Sequence, residues 1–249
     1  MPPGEVMPVE TTTDALFAGA LVLRQPRRGY RVNIDALLLA AFAVESRTYR
    51  LAVDLGAGVG AVGLALGFSG SVKRVVLLER EPELVALARE NLSANALLGD
   101  AELQDFERSG LPFGLRQRAE LVVCNPPFFP PSRGTPSTRA RTARSGALEP
   151  FVRAAHAALA GPRARAAFCY PAGALAQLFA CAEAARLVPK RLRFVHARSD
   201  LAARLALVEL RIAKPGGLRI EPPLIEWQSA RVRSAELTRI VAGEFGARR

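Results

Sequence analysis

Short runs of consecutive apolar residues alternate along this chain with stretches in which apolar positions recur every three or four residues. Leu51-Ala52-Val53-Asp54-Leu55, Val75-Val76-Leu77-Leu78, a short run ending at Gln104-Asp105-Phe106, Leu121-Val122-Val123-Cys124 and Ala166-Ala167-Phe168-Cys169-Tyr170 read as strands. Brief apolar runs bounded by turn residues suit strands buried on both faces. Between them lie helical patterns: an apolar helix closing near Gly67, then Leu84, Leu87, Ala88 and Leu92 behind Pro82. Phe151, Ala155 and Leu159 share a face within Glu149 to Ala160, which Gly161-Pro162 stops, and Leu175, Leu178, Phe179 and Ala182 do so within Ala172 to Arg186. Arg191 to His196 and Leu205 to Arg211 add two strands, and Ser234 to about Ala242 a closing helix. The order predicts an α/β fold: a doubly wound, mostly parallel, seven-stranded sheet with helices on both faces.

The ends are less regular. Residues 1 to about 15 are Pro/Thr-rich and read as loosely ordered before the apolar stretch Ala20 to Leu23. Gln25-Pro26-Arg27-Arg28-Gly29 reads as a basic turn, Tyr30-Arg31-Val32 as a short strand, and Asn33-Ile34-Asp35 as the entrance of a helix running to about Val44, with Asn33 or Asp35 suited to cap it. Residues 107 to 120 read as a loop, and Ile220 to Trp227 as extended around Pro222-Pro223.

Composition adds a sign. The 249 residues carry 34 Lys+Arg against 23 Asp+Glu, a formal charge of +11, and the only lysines are Lys73, Lys190 and Lys214. Arginine forks match phosphate oxygens, so a charge this positive suggests a nucleic-acid partner. The segment Ser132 to Gly146 holds Arg133, Arg139, Arg141 and Arg144 with no acid; it reads equally well as a phosphate-contacting loop and as a solvated face. Cys124, Cys169 and Cys181 form no CxxC pair, which argues against a zinc site and a disulfide framework and for a reducing cytoplasm. His156 and His196 are isolated, so no metal is expected. No basic-then-apolar leader opens the sequence, and the run Ala36 to Val44 is far short of the roughly 20 residues of a membrane span. A monomer free of membranes is the favoured expectation.

Candidate chemistry gathers where strands end, since ligands of doubly wound sheets bind outside the carboxyl ends. Asp54-Leu55-Gly56-Ala57-Gly58-Val59-Gly60 allows backbone to approach a ligand closely, and Glu79 closes the next strand, placed to accept from ribose hydroxyls. Asn125-Pro126-Pro127-Phe128 stops the strand that begins at Leu121, because tandem prolines donate nothing to a ladder. Phe128-Phe129 then asks for a flat ligand or a core.

This arrangement resembles motifs I and II of the class I S-adenosylmethionine-dependent methyltransferases, a Rossmann-like fold, and the tetrapeptide matches the (Asn/Asp)-Pro-Pro-(Tyr/Phe) motif of those acting on planar nitrogen. By that resemblance Asn125 and the Pro126 carbonyl accept the two amine hydrogens, Pro127 completes the rigid turn and Phe128 stacks on the ring. Gln25 to Phe42, with Leu121 to Phe129, the basic loop and Phe168 to Pro171, is similar to YfiC-like proteins, the valine-tRNA adenine-N6 methyltransferase family. The likeness covers most of residues 12 to 212. It implies S-adenosylmethionine as cofactor, with Arg31, Asn33 and Asp35 near its methionine end, Asp54, Gly56, Ala57, Gly58 and Gly60 along its backbone side, Glu79 at the ribose, Asp105 and Phe106 at the adenine, Asn125 beside the methyl group, and Arg80 as a further cofactor-binding residue. It implies a single domain over 1–249, divided into a cofactor-covering extension at 1–48, a core at 49–212 and a C-terminal extension at 213–249 that matches less well.

The expected reaction is methylation of adenine N6 in RNA, most naturally a tRNA. Other families share the tetrapeptide: release-factor glutamine methyltransferases and ribosomal guanine-N2 methyltransferases carry long segments before motif I, which here begins near residue 54. DNA adenine methyltransferases commonly insert a recognition domain. A cofactor- or RNA-binding protein without catalysis is the non-enzyme alternative.

Overall fold

Apolar runs that alternate between the two faces of a sheet need cover on both sides, and the chain supplies helices to each. The computed structural model describes residues 10–28, 31–44, 47–126 and 148–247. In chain order the strands are β1 (Thr11–Leu16), β2 (Leu21–Pro26), β3 (Tyr49–Leu55), β4 (Val72–Glu79), β5 (Gly99–Leu103), β6 (Leu121–Cys124), β7 (Arg165–Pro171), β8 (Val188–His196), β9 (Ala203–Arg211), β10 (Arg219–Ile220), β11 (Leu224–Ile225), β12 (Trp227–Ser229) and β13 (Val232–Arg233). The helices are α1 (Ile34–Ala43), α2 (Ala61–Phe68), α3 (Pro82–Ala94), α4 (Phe106–Ser109), α5 (Leu148–Ala158), α6 (Leu175–Ala184) and α7 (Ala235–Ala242).

The main sheet runs β5-β4-β3-β6-β7-β9-β8, parallel from β5 to β7 with β9 antiparallel to both its neighbours. The seven expected strands are all present, and the two-residue strands β10 and β11 add to the outer edge of β8. Alternation fixes the two faces. Ala52, Leu121, Val123, Ala167 and Cys169 face a core shared with α1, α2, α3 and α7. Val53, Leu55, Val122, Cys124, Ala166 and Phe168 face a second core with α4, α5 and α6.

Four expectations at the margins are corrected. Residues 11–16 are a strand, paired antiparallel with β2 from Thr11↔Pro26 to Leu16↔Leu21, where looseness was expected. The other edge of β2 is satisfied by side chains of α3 and its C-cap: Val22 N–H donates to Asn95 Oδ1 (2.8 Å) and Arg24 N–H to Asn91 Oδ1 (2.7 Å). Gln25 and Pro26 belong to β2, not to a turn. Arg31 and Val32 lie in no strand, because the Val32 N–H is taken by Gln25 Oε1 at 2.9 Å in place of a ladder partner. The loop expected at 107–120 contains most of α4 and a 3-10 turn, Phe113–Leu115. Among the described residues no helix is long and apolar enough to cross a membrane.

Candidate active site

Four neighbouring parallel strands, β6, β3, β4 and β5, end at one level. Cys124 pairs with Leu55, Leu55 with Leu78, and Glu79 with Leu103. The residues that continue from those ends are Asn125, Gly56, Glu79 and Gln104-Asp105, so the register itself lines up four of the expected positions along about 14 Å of sheet edge, three steps of about 4.8 Å.

Asn125 leaves β6, whose four residues are all buried, and Pro126, also buried, brings no N–H to continue the ladder. The Asn125 Oδ1 atom is buried and has no hydrogen-bond partner among the described residues. A buried acceptor left unmade costs about 1–3 kcal/mol, so this oxygen calls for a donor from beyond the described residues. Pro127, Phe128 and Phe129, with Arg133, Arg139, Arg141 and Arg144, lie outside the described residues.

One strand over, the chain reverses through Gly56, Gly58 and Gly60, with φ of +70°, +57° and +91°. Gly60 caps α2 in the left-handed conformation, which a side chain would strain. The Gly56 and Ala57 N–H groups donate to Leu78 O (2.8 and 3.0 Å), which pins the turn against β4. Asp54 sits beneath it, 2 % exposed, and accepts from Gly63 N–H at 2.9 Å. Burial pushes its carboxyl up to about 7, against the opposing pull of that hydrogen bond, and the charge of Glu79 adds to the rise.

Glu79 ties the turn from the other side. Its Oε2 accepts from Gly58 N–H (2.9 Å), and its Oε1 from Arg80 N–H (2.7 Å) and Glu81 N–H (3.1 Å). A carboxylate offers about four lone-pair positions, so Glu79 has room for one more donor while it holds Gly58. Asp105 caps α4, its Oδ1 accepting from Glu107 N–H at 2.9 Å. Phe106 is buried and stands edge-on to Phe151, ring centroids 5.2 Å apart.

The entrance of α1 is engaged differently. Asn33 caps the helix through Oδ1 on Asp35 N–H and donates from Nδ2 to Asp35 Oδ2 at 2.9 Å. The other Asp35 oxygen forms an ion pair with Arg204 Nη1 at 2.7 Å, and Arg204 in turn grips Glu226. Arg31 reaches Asp14 of β1 at 2.7 Å, and Arg80 Nε lies 3.5 Å from Glu81. Asp54, the glycine turn and Glu79 are thus joined directly, Asn125 and Asp105 flank them by strand register, and Arg31 turns toward the β1–β2 hairpin.

Sequence reasoning missed Phe151 and the Arg204–Glu226 pair. A Cβ on Gly56 would come within 2.9 Å of Phe151 Cε1, so this ring walls the glycine turn; in sequence it is one apolar position on a helix. Arg204 and Glu226 stand in no motif. Cys124, beside Asn125, has no nucleophilic part: burial pushes its thiol well above the ordinary range.

The methyltransferase small domain model matches residues 33–159, just over half of the chain. A tRNA1(Val) (adenine(37)-N6)-methyltransferase of Porphyromonas gingivalis is 32% identical over 173 residues, 65% of this chain and 67% of that protein. Its namesake from Actinobacillus pleuropneumoniae is 34% identical over 116 residues, 46% of this chain; the match spans 48% of that protein, about half its length. A crystal structure described as a predicted O-methyltransferase of Agrobacterium tumefaciens superposes with a TM-score of 0.68 at 23% identity, covering 85% of this chain and 97% of that one, and shows the same fold. The resemblance to methyltransferases therefore holds: the chain belongs to the methyltransferase small domain family.

Proposed function

We propose that this protein transfers the methyl group of S-adenosylmethionine to the exocyclic N6 of an adenine in RNA, a tRNA by the names of its relatives. The observation that carries the reading is the buried Asn125 Oδ1 at the end of β6, unpartnered among the described residues. An amine conjugated with a ring is a poor nucleophile because its lone pair is delocalised. Asn125 Oδ1 and the Pro126 carbonyl, both acceptors, take its two hydrogens and orient the nitrogen, which is catalysis by positioning and needs no strong base.

The residues at the crevice fit the cofactor. Glu79 keeps one acceptor position for a ribose hydroxyl, and a second hydroxyl is accommodated if the Gly58 N–H lets go of Oε2. Asp105 Oδ2 is open to the amino group of an adenine, with Phe106 and Phe151 walling that end. S-adenosylmethionine, when bound, supplies a methyl group activated by a positive sulfur. A target adenine stacked in RNA must first be turned out of its stack to reach Asn125.

Incubation with labelled cofactor and either total tRNA or a release factor tests the proposal. Label should enter tRNA and be recovered as N6-methyladenosine; label in the protein acceptor, or none in RNA, overturns it.

A further inference from the structure

We propose that the hairpin of β12 and β13, Trp227 to Arg233, is an RNA-docking surface that holds nucleotides flanking the one being methylated. This rests on the reading of the chain as an RNA methyltransferase and adds an element that grips substrate outside the crevice.

Its place in the fold comes first. β11 pairs in parallel with the end of β8, Leu224 with Val195 and Ile225 with His196. β8 points the same way as β7 and β6, since β9 is antiparallel to both β8 and β7. The hairpin that follows β11 therefore emerges at the edge where Asn125 lies, four strand steps away, about 19 Å. A folded RNA whose reacting base sits at Asn125 extends across that distance.

Its chemistry suits a nucleic acid. Residues 227 to 235 contain no acid. Arg231 and Arg233 are exposed, and neither forms an ion pair with any described residue. Their neighbours differ: Arg193, Arg198 and Arg204 are spent on Glu236, Asp200 and Glu226. Trp227 is half-buried, with the Arg233 guanidinium 5.7 Å from its ring centroid. An aromatic face with unpaired arginines beside it combines base stacking with phosphate contact.

The hairpin is also held stiffly. Trp227 N–H donates to Ala197 O (3.0 Å), Glu226 N–H to His196 O (2.9 Å) and Ser234 N–H to Glu226 O (2.9 Å). Glu226 is buried and accepts from Arg204 Nε at 2.7 Å, and the same guanidinium reaches Asp35 at the start of α1. A platform ordered in advance loses less entropy when it binds. The competing basic region lies at the opposite sheet edge, where Lys190, Arg191, Arg211 and Arg219 line a cavity of about 460 Å³. There Arg191 and Arg211 are engaged by Glu209, Arg219 by Glu221, and Lys190 by the carbonyls of Lys214 and Gly216.

Trp227 is the only tryptophan in the chain, so its emission reports the contact directly. Titration of the wild type with tRNA should quench it along the isotherm seen by anisotropy of labelled tRNA. The double variant Arg231→Gln/Arg233→Gln should bind tRNA about tenfold more weakly at 0.15 M salt, lower the salt slope by about 1–2 and raise KM with kcat nearly unchanged. Trp227→Ala should weaken binding about fivefold or more with the slope intact, and Trp227→Phe should recover most of the loss. The control Arg163→Gln/Lys214→Gln, at the opposite edge, should stay within about twofold. Unchanged affinity and slope in the arginine double variant, or an equal loss in the control, overturns the proposal. If the wild type methylates tRNA yet ignores the hairpin variants, the hairpin assignment alone fails. If it neither binds nor methylates RNA, the functional reading fails with it.

Discussion

Asp54 offers a test of the site that is independent of substrate. Its carboxyl is fully enclosed, and burial raises it from 3.8 to about 7. A carboxyl whose folded pKa exceeds its unfolded one holds its proton longer when folded, so unfolding releases a proton between those values. Stability from this group therefore falls as pH rises through 3.8 to 7 and is level above. Ionisation in the unfolded chain, set against none or partial ionisation in the fold, costs the native state about 2 kcal/mol at pH 5 and about 4 kcal/mol at pH 8. Asp54→Asn keeps an oxygen for the Gly63 N–H but does not titrate. Urea denaturation of both proteins at both pH values gives a double difference in which any constant packing effect of the amide cancels. The variant should gain on the wild type by about 2–3 kcal/mol between pH 5 and pH 8. A double difference below about 0.5 kcal/mol would refute the placement of a neutral-tending carboxyl beneath the glycine turn.

The other predictions are briefer. Asn125→Ala should leave cofactor affinity within about twofold while single-turnover methyl transfer falls about 100-fold or more; undiminished transfer would remove Asn125 from the mechanism. Arg139→Gln/Arg141→Gln should lower the salt slope of tRNA binding by about 2, and an unchanged slope would make the 132–146 segment a solvated face. Ser234 Oγ accepts from Leu237 N–H at 3.0 Å and caps α7, so Ser234→Ala should cost about 1 kcal/mol in urea denaturation.

What was legible in the sequence was local. A buried parallel strand is a continuous apolar run, and β3, β4, β6 and β7 follow their runs closely. Asn33 and Pro82 mark their helices by the chemistry of a first turn. The acids and the asparagine at strand ends were legible because register brings consecutive strand ends together. What stayed hidden depends on partners far along the chain. β2 is completed by Asn91 and Asn95, some 70 positions away (separations of 67 and 73), and no window of sequence reveals that. β10 to β13 are two or three residues each, too short for a period to register. Phe151 earns its place at the site only because Gly56 has no side chain in its way.

The charge of the chain shows the same division between composition and position. A formal +11 pointed to nucleic acid, yet much of the arginine is spent on the protein's own carboxylates. Arg24 binds Glu90, Arg50 binds Glu120, Arg193 binds Glu236, and Arg204 joins Asp35 to Glu226. Each pair connects elements remote in sequence, the task for which a rigid guanidinium fork suits better than a lysine. Arginine count therefore measures internal bracing as much as affinity for phosphate. The discriminating quantity is the set of cations left without a carboxylate, weighed by the sheet edge on which they sit. On the proposed reading, methyl transfer at Asn125 confines the reacting base to the carboxyl ends of the strands, so unpaired arginines count toward recognition only where RNA threaded to that point passes over them. Arg231 and Arg233 meet both conditions; Arg163 and Lys214, at the far edge and without a carboxylate among the described residues, meet only the first, and the difference in their effect on tRNA binding separates positional recognition from bulk charge.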